Sequence, residues 1–142
     1  MLWGLRLMSA EGLFASENAA SATGGNIARN LIFMTDGDTE TNIADYDAYG
    51  LAALDRRRTP DSRLPTKSEQ DSIVEDRLSQ LCTVAKEKKN ITVWVIAFGT
   101  SLTSLLSNCA SPNRSYQANN ATELNQTFAD IAARISQLRV TH

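Results

Sequence analysis

The sequence has a single histidine, His142 at its last position, and only two cysteines, Cys82 and Cys109. A lone terminal histidine argues strongly against a histidine-based catalytic triad or an imidazole metal site. The cysteines lie far apart and form no Cys-x-x-Cys pair, so their spacing argues against zinc. They are either two free thiols packed in the core as small hydrophobic groups, or one disulfide.

Long apolar runs and a continuous stripe of basic residues are also missing. No stretch of about 18 apolar residues occurs, so nothing here is expected to span a bilayer. The apolar N-terminus contains Arg6 and no cleavage pattern, which favours the end of an amphipathic helix in a larger domain over a signal peptide. The formal net charge is −2 and the basic residues are scattered, which disfavours nucleic acid as a partner.

Strand and helix patterns alternate along the 142 residues, a length typical of one domain. Residues 31–34 and 91–98 are nearly continuous apolar runs, which predicts strands covered on both faces, as in a parallel sheet. A helix between them is predicted to begin at a capping box formed by Thr66 and Glu69. Its apolar stripe has helical spacing and consists of Val74, Leu78, Leu81, Cys82 and Ala85.

The C-terminal part continues this alternation. A short helix is predicted around 102–106, a short edge strand at 115–118, and a last helix capped by Asn120 with Glu123. The apolar face of that helix consists of Leu124, Phe128, Ile131, Ile135 and Leu138. Residues from about 37 to 65 fit less well and are predicted to form a surface excursion with some helix. The order predicts an α/β fold with a mostly parallel sheet flanked by helices.

The turn after the first strand holds the best candidate site. In an open parallel sheet, ligands bind at the carboxyl ends of the strands, and residues 31–34 lead there into Thr35, Asp36, Gly37 and Asp38. A carboxylate at that place suits an oxygen ligand for Mg²⁺, directly or through water. The alternative is that Asp36 and Asp38 only bond the amides of the turn.

Phe33-Met34-Thr35-Asp36-Gly37 is similar to the fourth-strand signature of von Willebrand factor A-type domains. In that family, this aspartate supplies the last carboxylate of a metal-ion-dependent adhesion site. Further segments, in this order, resemble the C-terminal region of TadG-like proteins of the tight-adherence (Flp-type) pilus system. They are residues 3–6, 46–50 with 55–57, 93–99, 109–111, 124–131 and 138–139.

The resemblance implies that residues 1–142 are the C-terminal portion of a single A-type domain. Its fold would be a partial, Rossmann-like three-layer fold that lacks the first strands, with the excursion at about 37–65. The implied function is a non-catalytic binding or assembly module in the bacterial periplasm or cell envelope, whose parent protein is anchored in the inner membrane. Its implied partners are other pilus or envelope proteins, bound through the edge formed by Thr35, Asp36, Gly37 and Asp38.

The departures from the family change what is expected. The Asp-x-Ser-x-Ser motif of the family's first strand does not occur here, so only Asp36 is carried over, as a remnant. No cofactor is expected, and Mg²⁺ binding should be weak or absent. Without the first strands, the sheet is expected to expose edge amides and apolar faces, which self-association could cover. Within the resemblance, Cys82 and Cys109 are expected to form a disulfide.

Two other functions are compatible with parts of the sequence. One is an extracellular A-type adhesion domain that binds a protein ligand through a divalent cation and carries glycans at the sequons of Asn90, Asn113, Asn120 and Asn125. The other is an α/β hydrolase that uses Asp36 and Asp38 as a carboxylate pair. It would need a nucleophile or base that the sequence does not offer.

Overall fold

The computed structural model describes residues 1–19, 27–37, 39–42, 46–47, 50–51 and 63–137. Its elements in chain order are α1 (Leu2–Leu7), β1 (Arg29–Thr35), β2 (Tyr46–Asp47), β3 (Gly50–Leu51), α2 (Lys67–Thr83), β4 (Ile91–Phe98), α3 (Ser104–Cys109), β5 (Ser115–Ala118) and α4 (Ala121–Gln137). A π-helical turn, Val84–Lys88, follows α2 directly. β2 and β3 form a separate antiparallel pair.

The main sheet has the order β1-β4-β5, and both of its strand pairs are parallel. Arg29 pairs with Ile91 at the start of β1, and Val95 pairs with Ser115 at the start of β5. Parallel neighbours joined through helices are the arrangement that the alternating pattern predicts. The prediction of an α/β fold with a parallel sheet flanked by helices is therefore confirmed.

β4 is the central strand and separates two apolar clusters. Val93, Val95 and Ala97 lie in a cluster with residues of α2 and α3. Trp94 and Ile96 point to the other face, where they pack with Ile131 of α4. Because both faces are covered, β4 needs no polar alternation, and its continuous apolar run is explained.

β1 differs from its prediction, because only one of its faces is substantially covered. Ile32 and Met34 are 39% and 48% exposed, whereas Leu31 and Phe33 pack against the cluster beneath α2 and α3. The cluster beneath α4 contains residues of β4 and β5 but none of β1. In the described part of the chain, no strand pairs with the outer edge of β1. The prediction of a strand covered on both faces is therefore wrong for β1. The apolar side chains of Ile32 and Met34 are exposed on its uncovered face.

α2 begins at the predicted capping box. The Glu69 amide donates to the Thr66 hydroxyl at 3.3 Å, and the Thr66 amide donates to the Glu69 carboxylate at 2.9 Å. Arg63 also forms an ion pair with Glu69. Three members of the predicted apolar stripe, Leu78, Cys82 and Ala85, are buried.

Acid is expected to weaken the start of α2. The Arg63 guanidinium, with the backbone and hydroxyl of Thr66, lowers the pKa of Glu69 from 4.5 to about 2. A carboxyl with a lowered pKa in the folded state contributes stability above its unfolded pKa, and that stability is lost as the pH falls from about 4.5 towards about 2. We expect the urea midpoint of Glu69→Gln to fall less than that of the natural chain over this range, since glutamine keeps the cap but does not titrate.

The control for this prediction is Glu75→Gln, which removes an exposed carboxylate from the same helix. Its urea midpoint should follow the pH dependence of the natural chain. Identical pH profiles for Glu69→Gln and the natural chain would contradict the prediction.

α4 also begins as predicted, since the Glu123 amide donates to the Asn120 side-chain oxygen at 3.0 Å. Its inward face differs in one position. Phe128 is 39% exposed and does not belong to the cluster beneath the helix, whereas Thr127 is buried, with its hydroxyl donating to the Glu123 carbonyl at 2.8 Å. The prediction that Phe128 faces the sheet is wrong, and Leu138 lies outside the described residues.

α1 confirms a helical N-terminus. β2 and β3 are the regular structure described within the excursion, and much of the excursion, including residues 52–62, lies outside the described residues. None of the helices described is long and apolar enough to cross a membrane.

Candidate functional site

The carboxyl ends of the three parallel strands lie at one edge of the sheet, which we call the carboxyl edge. β1 ends at Thr35 beside Ala97 of β4, and β4 ends one residue later before Gly99. Gly99 has a φ of +67°, which glycine adopts without strain, and its amide donates to the Ala118 carbonyl of β5 at 2.8 Å. The turns after β1 and β4 therefore face solvent together.

The turn after β1 is closed by Thr35 and not by the aspartate. The Thr35 hydroxyl donates to the Gly37 carbonyl at 3.0 Å and accepts from the Gly37 amide at 3.4 Å. Asp36 is exposed and forms no hydrogen bond or ion pair with any described residue. The interpretation of Asp36 as a bonding partner for turn amides is therefore wrong, and Asp38 lies outside the described residues. The Asp36 carboxylate is thus exposed at the carboxyl edge and has no hydrogen-bond or ion-pair partner among the described residues.

A cavity of about 240 Å³ opens beside this turn. Gly37 and Thr39 line it from the chain after β1, Thr103 and Ser104 from the start of α3, and Glu75 from α2. The Glu75 carboxylate forms no hydrogen bond or ion pair with a described residue. The cavity thus offers hydroxyl groups and a carboxylate to whatever approaches the carboxyl edge.

The segment after β1 is held against α2 by charged groups. The Thr41 amide donates to Asp71 at 2.9 Å, and the Lys67 ammonium lies 2.8 Å from Asp71 and 3.2 Å from Glu40. These contacts lower the pKa of Asp71, chiefly through Lys67, and raise the pKa of Lys67, chiefly through Asp71. They keep Thr39 at the wall of the cavity.

The opposite wall is fixed by a disulfide. Cys82 of α2 is bonded to Cys109 at the end of α3, with the two Cα atoms 5.0 Å apart and both side chains buried. Lys86 donates to the carbonyls of Asn108 at 2.5 Å and Ala110 at 3.2 Å, which neutralises the end of α3. Because α3 is tied down at its end, the residues at its start, Thr103 and Ser104, have a fixed place at the carboxyl edge.

The donors at this edge do not fit a Mg²⁺ site. Among the residues described, no group of three or more histidine, cysteine, aspartate or glutamate side chains could hold a metal ion. Thr35 uses its hydroxyl within the turn, so the described residues of that turn, Thr35 to Gly37, give Asp36 no second side-chain ligand that is free of other bonds. Mg²⁺ requires near-octahedral oxygen ligation, which one carboxylate on an exposed turn does not supply.

Sequence reasoning found the turn but missed the cavity. Glu75, Thr39, Thr103 and Ser104 come from three separate segments, and nothing in their local sequence marks them as neighbours. One local signal was available, since Thr103 caps α3 by accepting from the Leu106 amide at 3.3 Å. That cap places a threonine directly after β4, at the edge where ligands bind in open sheets.

Comparison of the chain with protein-family models, with curated proteins and with solved structures finds no match.

Proposed function

We propose that the chain is a non-catalytic module that binds other proteins through its carboxyl edge. In this proposal it is the C-terminal half of a von Willebrand A-type domain from a TadG-like pilus-assembly protein, and its partners are other pilus or cell-envelope proteins. The observation that carries the proposal is the bare Asp36 carboxylate beside a polar cavity. A charge that no described residue pairs with is available to a partner's basic group.

The strand order supports the proposed domain type. In the resemblance, the Asp36 turn follows the fourth strand of the complete fold, and the missing first strand would lie beside it. β1 has β4 on one side and no described strand on the other, and its Ile32 and Met34 are exposed. A half-domain with that strand missing would leave such an edge.

The chemistry of the turn supports a binding function over catalysis. A nucleophilic hydroxyl needs a base within hydrogen-bonding reach, and the Thr35 hydroxyl instead bonds to the Gly37 backbone.

The disulfide supports the proposed location. Disulfides form and persist in oxidising compartments such as the bacterial periplasm and are rare in the cytosol. Cys82 and Cys109 are both buried and joined, and they connect α2 to α3. An envelope location would preserve this bond.

Site-specific photo-crosslinking tests the binding edge. A benzoylphenylalanine in place of Ser104, which is exposed on the cavity wall, leaves the Asp36 carboxylate intact and should form an adduct with a pilus-system protein in cells that express a tight-adherence pilus. The matched control places the same group at Glu87, which is exposed and precedes β4 at the opposite end of the strand. Adducts from position 87 but not from position 104, or no adduct with a pilus-system protein, would refute the proposed edge.

Metal titration tests the incomplete adhesion site. We expect calorimetry with Mg²⁺ or Mn²⁺ to show no saturable binding in the micromolar range, because the Asp-x-Ser-x-Ser motif that completes the family's site does not occur in the sequence and one carboxylate does not make an octahedral site. Asp36→Ala should give the same trace as the natural chain. Micromolar binding that disappears in Asp36→Ala would show that other ligands complete the site.

A further inference from the structure

Two arginines and two aromatic rings form a cluster where β5 begins, at the opposite end of that strand from the carboxyl edge. The rings of Trp94 and Tyr116 are stacked with centroids 6.3 Å apart. The Arg114 guanidinium carbon lies 4.5 Å from the centre of the Trp94 ring, and that of Arg134 lies 5.9 Å from the centre of the Tyr116 ring. Each cation therefore rests on an aromatic face, which holds it in place.

The two guanidinium groups converge on one backbone oxygen. The Nη1 atoms of Arg114 and Arg134 both donate to the Asn113 carbonyl, at 3.4 and 3.3 Å. The Arg114 guanidinium makes one further hydrogen bond, a long one of 3.5 Å to the Pro112 carbonyl. One neutral carbonyl oxygen thus brings two full positive charges into the same small region.

No carboxylate of the described residues forms an ion pair with either arginine. Two cations held close together repel each other unless an anion or water intervenes. The charge of the arginine pair is therefore not compensated within the described chain.

Two polar atoms of this cluster are also buried without a hydrogen-bond partner. They are the Nε of Arg114 and the hydroxyl oxygen of Tyr116. A buried donor without an acceptor costs free energy, and natural structures contain few of them. The group that an anion can reach is the exposed Arg134 guanidinium, and its uncompensated charge beside Arg114 favours an oxygen acceptor with negative charge.

We propose that Arg114 and Arg134 form an oxyanion-binding site that takes a carboxylate or a phosphate group. Guanidinium groups present paired N–H donors whose geometry matches the oxygens of these anions. Stacking on Trp94 and Tyr116 fixes the two side chains before binding, which lowers the entropy that binding must overcome. The site is independent of Asp36, so it does not depend on the function proposed for the carboxyl edge.

NMR titration of the full chain tests this site. Sodium phosphate and sodium acetate are added separately at constant ionic strength, and the indole N–H and arginine Nε–H signals are followed. We expect the Trp94 indole and Arg114 Nε–H signals to shift and saturate with at least one of the two anions. The chain has two tryptophans, and Trp3, exposed on α1 with the Arg6 guanidinium 5.1 Å from its ring centre, serves as the comparison for weak binding at a single exposed arginine and should not saturate.

Substitutions identify the residues responsible. Arg134→Gln should weaken binding by about tenfold or more, since it removes a charge-assisted contact. Arg134 is exposed, so this change should not disturb folding. Arg77→Gln, which removes an exposed arginine from α2, is the matched control and should bind like the natural chain.

The two separate titrations show which kind of anion the site binds. Saturation by phosphate alone assigns the site to phosphate groups, saturation by acetate alone assigns it to carboxylates, and both outcomes support the proposal. No saturable shift with either anion would show that the cluster is packing only. Equal affinity in Arg134→Gln and the natural chain would also overturn the proposal.

Discussion

Reduction of the Cys82–Cys109 bond is expected to lower the free energy of unfolding by about 3–4 kcal/mol. The two cysteines are 27 residues apart, so the bond restricts a loop of intermediate length in the unfolded chain. It also joins α2 to α3, which places Thr103 and Ser104 at the carboxyl edge. We therefore expect reduction to loosen the cavity wall as well as to destabilise the fold.

Urea unfolding with and without a thiol reductant measures the effect. The double variant Cys82→Ala with Cys109→Ala should unfold at the midpoint of the reduced natural chain, and reductant should not change it further. Alanine is preferable to serine here, because both positions are buried and a serine hydroxyl would need a partner. A midpoint that is the same in the oxidised and reduced natural chain would contradict a stabilising role.

Trp94→Ala is expected to cost about 3–5 kcal/mol, the range for truncating a large buried aromatic side chain. Trp94 is fully buried in the central strand, and it is the largest residue of the cluster beneath α4. The substitution also removes the indole donor to the Asn30 side chain at 2.9 Å and the surface on which Arg114 rests. We expect α4 to lose much of its attachment to the sheet.

The chain provides a matched control in its other tryptophan. Trp3 is 64% exposed on α1, so Trp3→Ala should change the free energy of unfolding by no more than about 0.5 kcal/mol. Trp94→Phe keeps most of the buried area, so its cost in free energy of unfolding should lie between those of Trp3→Ala and Trp94→Ala. Chemical denaturation followed by far-ultraviolet circular dichroism compares all three without relying on tryptophan emission. Equal costs for Trp3→Ala and Trp94→Ala would be incompatible with the core described above.

Local patterns were enough to predict the elements. The run from Ile91 to Phe98 predicted β4 with its bounds, and the pairs Thr66–Glu69 and Asn120–Glu123 marked the starts of α2 and α4. These predictions succeeded because caps and strand composition act through residues within a few positions of each other. The carboxyl-edge turn was found for the same reason.

Contacts between distant segments decided the rest. The run from Leu31 to Met34 is apolar throughout, but whether both faces of β1 are covered depends on where α4 packs, which the strand itself does not encode. Phe128 has the correct helical spacing for the core, yet Thr127 takes the buried place. The residues that line the cavity come from separate segments, and so do Arg114 and Trp94. No local pattern in these segments predicts that they are in contact.

The central position of β4 also sets an order for folding. β4, α3, β5 and α4 are consecutive in the chain, so contacts among them close short loops. β1 pairs with β4, which follows it only after the excursion and α2, so this pairing closes a much longer loop. Contacts between residues far apart in sequence form slowly, because closing the long intervening loop costs entropy first. During synthesis we therefore expect residues 91–137 to form the nucleus of the domain and β1 to join last.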